Sequence, residues 1–302
     1  MFGTFYVQAG IYPSIQNQYF SQDFIDQFYD KRDYTSELDV IITVGIPMQI
    51  IEKLEKAQEQ TWWLPPSATV YKGPDHCYYK HDDKYFIVRF TPKDKDIEPL
   101  LSQIMHVVEE NPVRFIYMPH RHNETILHAF QQAGFTKNNR YEARAIHVDN
   151  HKKMPPDHIQ AVMVQNFEEM KKVYEVRRRV FGSDIPEPDE NIRRFLKDAT
   201  SPESRVRQFL AIDTQTNEAV SQAGMSLFHD LRFSFLFAGG TLEAARGKGS
   251  YTALVAARIA YARSVGIEHV GLFAREDTSA PIVSKQGFEF YGEMQDWNLN
   301  WD

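Results

Sequence analysis

The sequence predicts a mixed α/β fold made of two similar units in tandem, each a central mixed β-sheet flanked by helices. Three observations carry this. Apolar runs of strand length alternate with helical patterns along most of the chain. A short apolar run, a basic glycine turn and an alanine-rich helical pattern follow one another between Phe235 and Val265. An order of strand, helix, Gly-Phe, strand also recurs: Gly134-Phe135 returns as Gly287-Phe288, 153 residues later.

The elements follow in order. The first 40 residues are aromatic and polar without clear periodicity, and read as an extra arm. Tyr85–Phe90 reads as a strand, Asp96–Glu109 as a helix and Val113–Met118 as a strand. A polar helix start at Arg121–Glu124 leads to apolar Ile126, Leu127, Ala129 and Phe130, then to a strand over Ala143–Val148. His151–Pro156, with two lysines and two prolines, reads as the linker between a first domain, 1–150, and a second, 151–302. In the second, Gln208–Ile212 and Val220–Phe228 read as strands around a polar turn. The Phe235–Ala238 strand and the Thr252–Val265 helix come next, with Gly266 as the helix cap. His269–Phe273 reads as a buried strand, Asp277–Pro281 as a helix start, and Glu293–Leu299 as the last strand.

Composition excludes several classes. The 302 residues are 42% hydrophobic, enough for substantial cores, and the net charge of −7 argues against a general nucleic-acid binder. One cysteine, Cys77, rules out an intrachain disulfide and fits a reducing compartment. No stretch has the length of a membrane helix, and Met1–Gln18 lacks the pattern of a signal peptide. A cytoplasmic protein without membrane association is expected. His76, Cys77 and His81 are too few for a zinc site. His120 and His122 read as solvated, as does the face carrying Arg177-Arg178-Arg179. Trp62-Trp63 beside Pro65-Pro66 reads as core packing or as a substrate groove.

The turn Thr241–Tyr251 carries the most chemistry. A strand, then a glycine turn, then a helix presents unpaired backbone N–H groups at the positive end of the helix dipole, where a pyrophosphate binds. Gly247 and Gly249 let the backbone approach phosphate oxygens, while Arg246 and Lys248 add charge. The P-loop spacing fails, because Leu242 stands five places before Gly247 and a glycine follows the lysine. The dinucleotide pattern fails for want of a third glycine.

Arg246-Gly247-Lys248-Gly249-Ser250-Tyr251 resembles the acetyl-CoA pyrophosphate loop of the GNAT superfamily of CoA-dependent N-acyltransferases, with Tyr251 where glycine or alanine is usual. The order of elements over residues 157–302 resembles the family as well. The resemblance implies two tandem GNAT-like domains. It implies acetyl-CoA as co-substrate, no metal, and cofactor contacts from Thr241, Leu242, Arg246, Gly247, Lys248, Gly249, Ser250 and Tyr251. The pantetheine arm would insert beside the family's fourth strand, near Gly240, Thr241 and Leu242. Asp277 stands near a family asparagine. The first copy offers Thr91-Pro92-Lys93-Asp94-Lys95-Asp96 at the equivalent turn, without glycine and with acidic residues, so it is expected to be degenerate and to hold no CoA.

The resemblance further implies direct attack of a neutral amine on the thioester, a carboxylate base and a tyrosine acid. Glu243 is the base candidate by position, and also reads as a solvated carboxylate. The family's helix-borne tyrosine is missing; Tyr291 or Tyr251 would stand in. The expected activity is N-acetyl transfer to a small amine or peptide acceptor, with no nucleic-acid partner. The alternative is a non-catalytic acyl-CoA-binding or sensor protein. The acidic loop Asp184–Glu190 points to a cationic acceptor or to a solvated loop. Gly249→Glu is expected to abolish CoA binding with the fold intact.

Overall fold

The computed structural model describes residues 49–60, 68–182 and 186–300. The N-terminal arm, Trp62-Trp63 with Pro65-Pro66, and Asp184 lie outside them. The chain divides after Gln49, and everything from Ile50 onward forms one compact unit.

That unit opens with helix α1 (Ile50–Glu59) and strands β1 (Thr69–Lys72), β2 (His76–His81) and β3 (Lys84–Phe90). Helix α2 (Ile97–Val108), β4 (Val113–Tyr117), α3 (Glu124–Gln132) and β5 (Thr136–His147) complete the first half. The second half runs β6 (Ile159–Met163), α4 (Phe167–Phe181), α5 (Asp189–Thr200), β7 (Val206–Asp213), β8 (Glu218–Phe228) and β9 (Phe233–Thr241). It ends with α6 (Ser250–Ser264), β10 (His269–Arg275), α7 (Ser279–Ser284) and β11 (Glu289–Leu299).

The eleven strands of the described residues join in one mixed sheet of order β1-β2-β3-β4-β11-β5-β10-β9-β8-β7-β6. The last strands of the two halves are exchanged. β5, from the first half, pairs antiparallel through Tyr141–His147 with the whole of β10, while β11, from the second, pairs with β4. The exchanged strands pair with each other at the centre. Arg114 on β4 reaches across to buried Asp296 on β11 at 2.6 Å.

Side-chain alternation sets the layers. Phe209 and Ala211 of β7 share a core with α6, whereas Leu210 and Ile212 face α4 and α5. Val270, Leu272 and Ala274 of β10 join the α6 and α7 core. Gly271, on the opposite face, meets Leu54 of α1. Helices α2 and α3 cover Phe90, Phe115, Tyr117 and Trp297. Helix α4 starts on Asn166, whose Oδ1 accepts from the Glu169 amide at 3.0 Å, and ends on left-handed Gly182. At the end of α6, Gly266 takes φ +78° and the Ile267 amide returns to the Ala262 carbonyl, the cap the sequence predicts.

Of the two histidines expected to be solvated, His120 is exposed and His122 is not. His122 is buried, its ring stacked on Tyr117 and its Nδ1 accepting from the Met118 amide at 2.9 Å. Phe115 and Tyr117 of β4 flank its ring. Among the described residues, no cluster of metal-ligating side chains forms, and no helix is long and apolar enough to cross a membrane.

Candidate functional site

The candidate site is the place where β9 and β10 part. The two strands run parallel and pair only over Phe233–Phe235 and His269–Gly271. Beyond that, β9 stays paired to β8 as far as Thr241 and β10 stays paired to β5 as far as Arg275. Each is held by its outer neighbour, and the facing edges from Leu236 and Leu272 onward do not pair.

A bulge marks the parting. Gln222 of β8 pairs with Gly240 and Gly224 with Phe237, so Ala238 and Gly239 together oppose a single residue, Ala223. Ala238 is left-handed at φ +48°, a conformation that costs a non-glycine residue on the order of 1–3 kcal/mol. The surroundings hold it there. Fully buried Gln222 donates Nε2–H to the Ala238 carbonyl at 2.6 Å, and Ser221 donates its hydroxyl to the Gly240 carbonyl at 2.8 Å. Ala238 and Gly239 are nonetheless exposed. Gly239 is required: a β-carbon there would lie 2.7 Å from Cε2 of Tyr251.

Past β9 the chain makes the predicted turn. The Leu242 amide is spent on the Val220 carbonyl at 2.9 Å, and one 3-10 turn spans Glu243–Ala245. Gly247 and Gly249 then take φ +75° and +85°, and Gly249 caps α6. The amides of Gly247, Gly249, Ser250, Tyr251 and Thr252 donate to no acceptor among the described residues. Arg246 and Lys248 are exposed and form no ion pair there. The Ser250 hydroxyl is buried without a partner among the described residues. Five free amides, two free cations and a helix start make an anion cradle.

The sequence-predicted residues therefore fall into two places. Thr241 through Tyr251 lie along one continuous path from the β9 edge to the helix start. Glu243 is exposed in the 3-10 turn beside it. Tyr291 lies elsewhere, on β11, with β5 and β10 between it and β9. At a usual strand spacing the separation is at least about 14 Å. Its hydroxyl donates to Glu289 at 3.0 Å, and burial, then that bond, raises its pKa. Glu243 and Tyr291 are not brought together. Asp277 is exposed and pairs with Arg275 at 3.1 Å. Tyr251 is the tyrosine whose ring lies against β9, with the guanidinium of buried Arg258 6.0 Å from its centroid.

Sequence reasoning did not single out Gln222 or Ser221, and it read Arg177 only as part of a solvated basic face. The only signal for the bulge was Gly239-Gly240 inside a strand pattern. Arg177 also departs from the solvated face expected of it. Arg178 pairs with Glu175 at 2.9 Å and Arg179 is exposed, but Arg177 is half-buried against Tyr174, with its Nε buried and donating to no acceptor among the described residues. A separate cavity of about 310 Å³ opens between α4 and α5, lined by Lys171, Lys172, Tyr174, Arg178 and Glu187 among others.

The first half repeats the parting without the cradle. β3 and β4 pair over only Tyr85–Ile87 and Val113–Phe115. Lys93, a 3-10 turn at Asp94–Asp96 and then α2 follow, with acidic Asp94, Asp96 and Glu98 at the helix approach. Helix α1 also staples the strand ends: Glu59 reaches Arg121 at 2.7 Å and Arg89 at 3.7 Å, and Glu55 contacts His120 and Arg121.

The sequence matches no family model and no curated protein. Solved structures do match the fold. A GCN5-related N-acetyltransferase from Kribbella flavida superposes with a TM-score of 0.63 at 16% identity, covering 82% of this chain and 94% of its own. The chain has the GNAT fold. A second GCN5-related N-acetyltransferase, from Sphaerobacter thermophilus, gives 0.58 at 16% identity, covering 83% and 91%. A tandem GNAT protein from the clavulanic acid biosynthesis pathway gives 0.57 at 12% identity, covering 79% and 85%. Within the GNAT fold, β9 and β10 are the parted strands and α6 is the helix whose start carries the anion cradle.

Proposed function

We propose that the protein is an N-acyltransferase that moves an acetyl group from acetyl-CoA to an amine, with one CoA site in its second half. The observation that carries this is the parting of β9 and β10 directly ahead of a turn with five free amides and two unpaired cations. The parted edges suit an extended amide-bearing arm, and the turn suits its pyrophosphate. The cofactor contacts proposed are Thr241, Leu242, Arg246, Gly247, Lys248, Gly249, Ser250 and Tyr251. Residues 1–150 are proposed as a degenerate GNAT-like domain and 151–302 as the CoA-binding one. The acidic approach to α2 and the carboxylates stapled across β3 and β4 support that division of labour.

In this reading the amine nitrogen attacks the thioester carbonyl carbon, and the carbon–sulfur bond breaks as the tetrahedral adduct collapses. The amine gives up a proton and the departing thiolate takes one. Glu243 is the proposed acceptor of the first proton, directly or through water. Tyr251 is better sited than Tyr291 to supply the second, because its ring lies against Gly239 of β9. Calorimetry with CoA and acetyl-CoA at millimolar concentration tests the site, and an amine panel with thiol-release detection tests the reaction. A second reading, a non-catalytic acyl-CoA sensor, is favoured by α7, which carries no tyrosine over Ser279–Ser284. Binding of acetyl-CoA with no thiol release from any amine would select it.

A further inference from the structure

We propose that Arg177 receives a carboxylate of the acceptor, so that the amine acetylated belongs to an amino-acid-like molecule rather than to a polycation. This rests on the acyltransferase reading above and names its substrate class. Tyr174, Arg177 and Phe181 share one face of α4, at spacings of three and four residues. That face lies over β8 and β9. A β-carbon on Gly240 would sit 2.6 Å from Val180 and 3.3 Å from the Phe181 ring. Arg177 Nη2 is 3.5 Å from Oε1 of Gln222, the residue that holds the Ala238 carbonyl in the bulge. One side chain thus separates the guanidinium from the point where β9 leaves β10.

This guanidinium is under-satisfied. Arg177 forms no ion pair among the described residues and its Nε is buried without an acceptor there; the Tyr174 side chain hydrogen-bonds the guanidinium and its ring lies 5.1 Å from Cζ, but neither supplies a negative charge. Glu187, an acidic neighbour of Tyr174, is engaged by Asn191 at 2.8 Å. A half-buried cation without an anion costs desolvation that a ligand carboxylate would offset. The planar fork of a guanidinium suits a carboxylate geometrically. Phe181, 58% exposed, offers an apolar neighbour for the rest of such a ligand. Arg246 and Lys248 stand at the phosphate end, so neither end of the site favours a polycationic acceptor.

The test uses the full chain with acetyl-CoA and thiol-release detection. Four acceptor sets are compared: amino acids, the same amino acids as carboxamides, aminoalkyl phosphates, and polyamines. Amino acids should exceed their carboxamides in kcat/KM by roughly ten-fold or more. Arg177→Gln should erase that preference by raising KM for amino acids, Arg177→Lys should keep part of it, and both should bind acetyl-CoA like the parent protein. Polyamines or carboxamides used as well as amino acids would overturn the proposal, as would a preference that survives in Arg177→Gln. A preference for aminoalkyl phosphates would overturn the carboxylate assignment. No thiol release from any amine would instead sink the acyltransferase reading. Calorimetry with amino acids and carboxamides alone then decides for Arg177, and equal or absent binding of both rejects its role.

Discussion

Gly247 and Gly249 have similar positive φ, +75° and +85°, so replacing each with alanine separates conformational strain from crowding. A left-handed alanine costs about 1–2 kcal/mol. At Gly247 nothing lies within 4 Å of the added β-carbon, so Gly247→Ala should cost only about 1 kcal/mol. At Gly249 the added carbon would lie 2.9 Å from Cδ of Pro156 and closer still to its Cγ. Overpacking adds about 1–3 kcal/mol, so Gly249→Ala should cost about 3 kcal/mol in all. With a urea m-value of about 3 kcal/mol per molar, the midpoints should fall by about 0.3 M and about 1 M. Calorimetry on the same proteins should show acetyl-CoA affinity lowered at least ten-fold in Gly247→Ala, because the methyl enters the open side of the cradle. Equal midpoint losses would refute the role of Pro156, and unchanged affinity in both variants would refute the cradle. The same contact corrects the expectation that Gly249→Glu leaves the fold intact: a larger side chain there must displace the Pro156 segment.

Other outcomes follow from the same geometry. Arg246→Ala and Lys248→Ala should each raise the Kd for CoA about five-fold, with weaker salt dependence, measured by calorimetry at two ionic strengths. Gln222→Leu strands the Ala238 carbonyl and should cost about 1–3 kcal/mol, with faster amide exchange confined to β8 and β9; unchanged exchange there would count against the clamp. Burial chiefly pulls His122 down to about 3 and His269 to about 4 from 6.5. The unfolded chain therefore binds more protons below about pH 6.5, and stability should fall as pH drops from there toward 4. His122→Phe should be less stable than the parent near pH 7, having lost the acceptor for the Met118 amide, but its urea midpoint should fall less steeply as pH drops, so the gap narrows toward pH 4. A slope like the parent's would show that His122 is not buried as described.

The elements were legible where periodicity and glycine punctuation agree. The α6 helix, its Gly266 cap and the Gly287-Phe288 step lie within two residues of their expected places. The cradle was legible because left-handed turns draw glycine. Strand partners were not: Thr136–His147 and Glu289–Leu299 are similar strands, and no local pattern tells either which edge to join. The bulge was hidden because its holders, Ser221 and Gln222, sit on another strand. Arg177 was hidden for a related reason. A run of three arginines looks uniform until the helix turns one of them inward.

The exchange of β5 and β11 makes the tandem arrangement obligatory rather than additive. A break in the His151–Pro156 linker would leave the first half carrying a strand whose outer partner is β10, and the second half carrying one whose outer partner is β4. Each fragment would expose a long unsatisfied edge, an invitation to aggregate alone. Mixed together, the two pieces could complement each other in trans. In the intact chain, the first half cannot be dispensed with, because it supplies the strand that supports β10.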